Sequence, residues 1–213
     1  NSGGLMVHKS THHFDLVNWW MDTTPATVFA MGDLMFYGKA NAEERGVTEF
    51  YTRARDSKVA AKDPFALKVS DKDKALMGLY YNAEKEDSYF RDQSVFSDGI
   101  SIEDTIGVLV RYSNKAVMTY SLNAHCPWEG YRVMFNGTKG RLEFNVVENQ
   151  FVDRNVQEDM NQFGMRELTQ DRKQMVPEIL FQPHWGKAQV IEYDQSNLAG
   201  HGGGDTKLLD DIF

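Results

Sequence analysis

Hydrophobic and polar residues alternate with a period of two over much of the second half of the chain, which is typical of β-strands. Short turns separate the alternating runs, at Ser113–Lys115 in one pair and at Asn136–Gly140 in another, and Asn114 is suited to positive φ. Strands joined by so few residues are antiparallel neighbours. The expected strands are "TIGVLVRY", "AVMTYSLNA", the two halves of "YRVMFNGTKGRLEFNVV", "EILFQ" and "KAQVIEY".

Apolar residues at helical spacing mark the start of the chain. Phe14, Val17 and Met21 lie three and four residues apart, so a helix over about residues 11–21 would present them along one face. A strand, "ATVFAMGDLMFYG", is expected next. Helices therefore stand before, between and after the strands without βαβ alternation. This pattern predicts an α+β fold, an open and mostly antiparallel β-sheet with helices packed on one face.

Residues 39–99 differ from the sequence on either side because they are polar, mixed in charge and rich in alanine. A helix is expected within "DKDKALMGLYYNAEKEDSYF", with Asp71 or Asp73 as its N-cap. We interpret residues 39–99 as an insertion within a single domain that spans residues 1–213. Because the chain starts without methionine and stops inside the apolar run "TKLLDDIF", we expect that domain to be part of a longer protein.

Composition and charge narrow the class of partner. The 213 residues carry a net charge of −8 that is spread along the chain, and no basic stripe suggests a nucleic-acid partner. No run approaches the roughly 20 apolar residues of a membrane span. Cys126 is the single cysteine, so the chain has no internal disulfide. The cytoplasm is the favoured compartment, and the periplasm stays open because a leader would lie outside this sequence.

Proton-carrying side chains are concentrated within residues 8–15. If the first helix reaches back to the first histidine, it places four side chains along one stripe: His8, His12, Asp15 and Trp19. A neutral histidine accepts a proton at physiological pH, a neighbouring carboxylate can orient its ring, and Lys9 would polarise an oxygen. These groups suit the removal of a hydroxyl proton while the carbon loses a hydride. His13 lies off the stripe and is expected to tolerate replacement.

Two other interpretations of the same residues stay open. Adjacent histidines near the start of a helix are often solvated or capping residues. His8 and His12 also have the His-x-x-x-His spacing of a zinc site, but Lys9 stands where the H-E-x-x-H motif has glutamate. A cation between two ligands disfavours a metal ion, so we expect no metal in this protein.

Two further segments carry candidate chemistry. "GHGGGD" is superficially a dinucleotide loop, but the final glycine of that fingerprint is missing and Asp205 would repel a pyrophosphate. We interpret Asp205 as a helix N-cap, with a phosphate cradle as the alternative. "NAHCPWEGY" either lines a sugar pocket or forms a capped loop, and it gathers His125, Trp128 and Glu129.

Three of these motifs together resemble one family. "GGLMVHKSTHHFDLVNWW", "FNGTKGRLEF" and "GHGGGD" are similar, in this order, to landmarks of the C-terminal domain of the glucose–fructose oxidoreductase / inositol dehydrogenase / rhizopine catabolism (Gfo/Idh/MocA) family. The resemblance implies a C-terminal domain like that of glyceraldehyde-3-phosphate dehydrogenase, preceded by a Rossmann domain that binds NAD or NADP. We therefore expect no cofactor to be held by this chain alone.

The resemblance also implies roles for single residues. His12 matches the histidine that usually transfers a proton in the family, and it is expected to be catalytic. Asp15 matches the aspartate three residues later, and Lys9 falls where some relatives contact substrate. His8 stands in place of the first aspartate of the family motif. Together with His201 of the third motif, these three side chains are expected to bind substrate.

In function, the resemblance implies an NAD(P)-dependent oxidoreductase that acts on a hydroxyl group of a sugar or polyol. This chain would supply the substrate-binding domain and would be inactive alone. We expect a homo-oligomer formed through the exposed sheet face, because a sheet with helices on one side leaves apolar residues uncovered on the other. The alternatives are a non-catalytic oligomerisation or binding module of the same fold, or an NAD-using glycosidase.

Overall fold

The structure, a computed structural model, describes residues 4–67, 69, 71–149, 178–193, 208–210 and 212. The chain folds as two compact units, Asn1–His125 and Cys126–Phe213, and each unit contains its own sheet. The interpretation of residues 1–213 as one domain with an insertion at residues 39–99 stays a prediction. None of the helices in the described ranges combines the length and apolarity that a membrane span needs.

The first unit begins with two helices and builds a three-stranded antiparallel sheet. Helices α1 (Leu5–His8) and α2 (Ser10–Met21) precede strand β1 (Pro25–Asp33), and the sheet is completed by β2 (Thr105–Tyr112) and β3 (Val117–Asn123). The strand order is β1-β2-β3, so β2 is central and β1 is an edge strand. Both the predicted first helix and the predicted hairpin between β2 and β3 are confirmed.

The turn between β2 and β3 differs from its prediction in one residue. Positive φ falls on Lys115, at 72°, and not on Asn114. The Asn114 side chain instead accepts a hydrogen bond from the N–H of Ala116 at 3.0 Å. This local hydrogen bond stabilises the turn at Asn114. The left-handed conformation falls on the next residue, Lys115, one position later than expected.

The helical segments described between β1 and β2 are all short. They are α3 (Lys39–Glu44), a 3₁₀ turn (Ala60–Lys62), α4 (Lys74–Leu76), a π-helical turn (Met77–Tyr81) and α5 (Glu84–Asp87). Of the two predicted caps, Asp73 is the one that serves, since its Oδ1 accepts from the N–H of Leu76 at 3.0 Å. The single helix expected here is therefore divided into short turns. Tyr81 is buried at the end of the π-helical turn.

One part of the core of the first unit lies on one face of its sheet, and another part lies in the chain between β1 and β2. Ile106, Val108, Val110 and Tyr112 alternate along β2 and are all buried, as the period of two predicts. Tyr120 of β3 lies directly opposite Val108 and faces the same side. Helix α2 covers this face, and the predicted packing of a helix on one face of the sheet is confirmed for this unit.

The opposite face of the same sheet is uncovered. Phe29 on β1 pairs with Leu109 on β2, and the two side chains are 62% and 46% exposed. Met31 and Val117 lie on the same face and are also exposed. An apolar surface made of neighbouring side chains is unusual for a protein that stays monomeric.

The described strands of the second unit form a four-stranded antiparallel sheet. Its strands are β4 (Glu129–Gly137), β5 (Gly140–Asn149), β6 (Glu178–Pro183) and β7 (Gln189–Val190), in the order β4-β5-β6-β7. The α+β class with antiparallel sheets is confirmed, but the described strands form two sheets where one was expected. The division falls within residues 124–128, where Pro127 lacks the N–H that a sheet ladder requires.

Candidate functional site

The predicted catalytic segment lies at a junction between two helices. Helix α1 ends at His8, Lys9 has φ −121° and ψ −46°, and α2 begins at Ser10. The continuous helix that would place His8 and His12 on one stripe is therefore not formed, and that part of the spacing argument is wrong. The cause is Ser10, which is completely buried and whose hydroxyl donates back to the carbonyl of Leu5 at 3.3 Å.

The predicted site residues of this segment are exposed. His8 and Lys9 lie at the junction, and His12 and Asp15 lie on the outward face of α2. Trp19 continues that face and is 74% exposed. No hydrogen bond joins His12 to Asp15 among the residues that the structure describes, so the expected orientation of the imidazole by this carboxylate stays a prediction. The arrangement presents a histidine, a cation and a carboxylate together at one surface.

The inward face of α2 is apolar and fixes the helix to the sheet. The Phe14 and Tyr120 rings pack with their centroids 4.7 Å apart, and Val17 is buried one turn later. The predicted apolar stripe of this helix is confirmed by these contacts. Because Phe14 and Val17 face the sheet, the helical period turns His12 and Asp15 away from it.

A hydrogen-bond chain that sequence reasoning missed runs beneath the exposed residues. The Nδ1 atom of His13 lies 3.0 Å from the hydroxyl oxygen of Tyr120, and that hydroxyl donates to Oγ of Ser10 at 2.9 Å. Tyr120 is 107 residues further along the chain than His13. No local motif signals this contact, and only the register of β3 places the tyrosine under α2.

Electrostatics favour the neutral forms of His13 and Tyr120 in this hydrogen-bond chain. Burial lowers the pKa of His13, and electrostatic interaction with His12 and Lys9 lowers it further. Burial raises the pKa of Tyr120. His13 is therefore uncharged over more of the physiological pH range than an ordinary histidine.

His125 of the second candidate loop, "NAHCPWEGY", packs within the first unit. The His125 ring stacks on Phe36 at 4.8 Å with the planes 5° apart, and Nδ1 lies 3.9 Å from Oδ1 of Asp104. The Asp104 carboxylate in turn accepts the backbone N–H groups of residues 35–37 at 2.8–2.9 Å. These contacts favour the capped-loop interpretation for His125. Trp128 lies in the second unit, where Arg132 stacks over its ring.

The described residues do not form a metal or dinucleotide site. No three histidine, cysteine, aspartate or glutamate side chains in the described ranges are grouped as metal ligands would be. All strand pairs there are antiparallel, so none belongs to a βαβ unit with a glycine-rich turn. His201 and the "GHGGGD" motif lie outside the described residues, and their assignment stays a prediction.

Comparison with known proteins agrees with the α+β fold described above. A family model described as "Oxidoreductase family, C-terminal alpha/beta domain" matches residues 1–211. The chain is 38% identical over 229 aligned residues to "Putative oxidoreductase YteT" of Bacillus subtilis (strain 168). That match covers all of this chain and 47% of the relative, so the chain spans about half the length of the curated protein that it matches. The chain belongs to the Gfo/Idh/MocA oxidoreductase family, of which it is the C-terminal α/β domain.

Proposed function

We propose that this chain is the substrate-binding domain of an NAD(P)-dependent oxidoreductase that oxidises a hydroxyl group of a sugar or polyol. His12 is its general base. The observation that carries the proposal is the orientation of α2, whose apolar face is fixed to the sheet while His12 is exposed on the other face. Membership of an oxidoreductase family supports the reaction class.

Oxidation of an alcohol to a carbonyl removes a proton from oxygen and a hydride from carbon. His12 takes the hydroxyl proton, because a neutral imidazole accepts a proton near physiological pH. A nicotinamide cofactor, which we assign to the part of the full-length protein outside this chain, supplies the hydride acceptor. The chain's own contribution is to bind the polyol, to orient its hydroxyl and to take up the proton.

The neighbouring exposed side chains suit the recognition of a polyhydroxylated substrate. Lys9 donates to hydroxyl oxygens, and the carboxylate of Asp15 accepts from hydroxyl groups. His8 is close enough in sequence to contribute a further donor or acceptor from the end of α1. His201 is proposed as a fourth substrate-binding residue on the basis of the family resemblance.

Turnover by the full-length protein tests the proposal. A panel of sugars and polyols is incubated with NAD or NADP, and formation of the reduced cofactor is followed. General-base catalysis contributes about 10²–10⁴-fold, so His12→Ala is expected to lower kcat by that factor while cofactor affinity is unchanged. The matched control is His184→Ala, because His184 is also exposed but lies in the second unit against the carbonyl of Gly137. Equal, small effects of the two variants would overturn the assignment.

A second role is favoured by the uncovered face of the three-stranded sheet. We propose that this face, formed by Phe29, Met31, Leu109 and Val117, pairs with the same face of a second copy. Burial of exposed apolar side chains drives such an association. If the full-length protein shows no turnover but assembles through this face, the non-catalytic module is the correct interpretation. NAD-dependent cleavage of a glycoside without net cofactor reduction would identify the glycosidase alternative.

A further inference from the structure

The first turn of α2 carries His12 but has no side-chain cap. Lys9 occupies the N-cap position, and its side chain makes no capping hydrogen bond. The first N–H groups of a helix have no partner within the helix, so an uncapped first turn opens easily. Here α1 is only four residues long and is separated from α2 by the break at Lys9. Contacts from outside the helix add to the backbone bond from the N–H of His12 to the carbonyl of Lys9 in holding this turn.

Tyr120 of β3 contacts the turn from below. Its hydroxyl donates to Oγ of Ser10 at 2.9 Å and lies 3.0 Å from Nδ1 of His13, and its ring packs on Phe14. These three residues lie on either side of His12 in the sequence. Ser10 also donates to the carbonyl of Leu5, so the same chain of hydrogen bonds reaches α1. One tyrosine side chain thus fixes both the position and the rotation of the turn.

The donors and acceptors in this chain of hydrogen bonds determine which nitrogen of His13 carries a hydrogen. Each hydroxyl group has a single hydrogen to donate. Ser10 uses its hydrogen for the Leu5 carbonyl, and Tyr120 uses its hydrogen for Ser10. The Tyr120 oxygen must therefore accept from His13, which requires a hydrogen on Nδ1 of the imidazole. A charged imidazolium would also donate from Nδ1, so the bond holds in both protonation states.

We propose that His13 and Tyr120 are positioning residues for His12, and that a hydrogen bond from Nδ1–H of His13 to the Tyr120 hydroxyl holds the α2 turn in its catalytic orientation. The role in catalysis rests on the proposed function of His12 as the general base, whereas the hydrogen-bond chain does not. This assignment reverses the expectation that His13 tolerates replacement because it lies off the exposed face.

The first test is the tautomer of His13 and needs no substrate. Nitrogen NMR of the full-length protein with labelled histidine distinguishes a protonated Nδ1 from an unprotonated one, and His13→Asn identifies the resonance. The expected result for the neutral ring is a hydrogen on Nδ1. A neutral His13 that carries its hydrogen on Nε2 would overturn the proposal, whatever the role of His12.

The second test compares kinetics in the full-length protein with the substrate selected in the turnover assay. Misplacement of a catalytic group by about 1 Å costs up to about 10²-fold in rate. Tyr120→Phe and His13→Ala are each expected to lower kcat by about 10- to 100-fold with little change in KM. His13→Asn should restore most of the rate, because its amide N–H can replace the Nδ1 donor. The double variant should be no slower than the slower single variant, since both remove one interaction.

Tyr112→Phe is the matched control. Tyr112 is a buried tyrosine on the neighbouring strand β2, and its hydroxyl contacts the sulfur of Met118, not α2. Its replacement is expected to leave kcat unchanged. If His12→Ala abolishes turnover while Tyr120→Phe and His13→Ala behave like Tyr112→Phe, positioning is refuted and the proposed function stands. If His12→Ala has no effect, the proposed function fails, and the tautomer measurement still decides whether the hydrogen-bond chain exists.

Discussion

Arg53 and Asp92 form an ion pair in which the carboxylate has no exposed surface. Nε of Arg53 donates to Oδ1 of Asp92 at 2.7 Å, and the second oxygen accepts the backbone N–H of Arg55 at 2.9 Å. Arg53 also binds Glu84 through two of its nitrogens. The pair joins two distant parts of the long excursion between β1 and β2, so it organises a segment that has little regular secondary structure.

Loss of the arginine should therefore destabilise the first unit. Arg53→Met leaves a buried carboxylate without its cation, which costs about 3–5 kcal/mol in the free energy of unfolding. The measurement is urea denaturation. Lys85→Met is the control, because Lys85 and Glu86 form an exposed pair worth less than about 1 kcal/mol. Similar small losses in the two variants would show that Asp92 finds another partner.

Acid should weaken the fold through Asp104. Burial alone would raise the pKa of this carboxyl group, but the N–H groups of Met35, Tyr37 and Phe36 bind its charged form and leave its pKa lowered. A pKa that is lower in the folded state gives stability that is present above the unfolded value and is lost as the pH falls through the folded value. We expect the wild-type protein to lose stability below about pH 4.

The variant Asp104→Asn isolates this contribution. It should be less stable than the wild type at neutral pH, by about 1.5–3 kcal/mol for lost hydrogen bonds to a charged group. The difference should shrink as the pH falls from about 4 through the lowered pKa of the folded carboxyl group, because protonation then removes the charge of Asp104 as well. Urea denaturation of the variant and the wild type, at neutral pH and below about pH 4, measures the difference in stability. If the difference in stability is the same at neutral and at acid pH, the loss comes from altered packing and not from the missing charge.

Gly140 should resist replacement. It begins β5 with φ +149°, and a Cβ atom there would collide with the carbonyl oxygen of Gln182 and lie 2.8 Å from the α-carbon of Pro183. Gly140→Ala should cost more than about 1 kcal/mol in the free energy of unfolding. Gly137→Ala is the matched control, because its Cβ would meet only the Gly140 carbonyl at an ordinary 3.8 Å. If the two variants lose equal stability, the close approach of β6 is not the cause.

Replacement of Leu109 by lysine should separate a homo-oligomer. Leu109 lies on the central strand of the uncovered face, so a charge there would have to be buried in the proposed contact. Light scattering of the full-length protein should show a smaller particle for Leu109→Lys. Leu79→Lys adds the same charge at an exposed leucine outside the sheet and should leave the particle mass unchanged. A wild-type protein that is monomeric at high concentration would contradict the proposed contact.

Local patterns predicted the parts of the fold that local forces determine. The alternation along β2 follows from burial of one face, and the cap at Asp73 follows from its distance to the start of α4. The amphipathic character of α2 was likewise evident from Phe14 and Val17. Each of these features depends on residues within one or two turns of one another, which is why the sequence pattern indicates them.

The features that escaped prediction depend on contacts between distant residues. The break at Lys9 lies next to Ser10, which is buried and hydrogen-bonded to Tyr120, 110 residues further along the chain. The partner of His13 is the same tyrosine, 107 residues away, and no local pattern indicates it. Arg53 and Asp92 are 39 residues apart and lie in a segment without periodic pattern. The exposed set around His12 was found because its residues are neighbours in the sequence.

The register in which β3 pairs with β2 determines whether Tyr120 contacts α2 beneath His12. Tyr120 faces α2 only because it lies opposite Val108, and a shift of one residue would turn every side chain of β3 to the other face. Thr119 or Ser121 would then stand beneath the helix, and neither reaches as far as a tyrosine hydroxyl. A chain that folds with β3 misaligned therefore also loses the support beneath His12. The proposed positioning of His12 therefore requires correct alignment of this one strand.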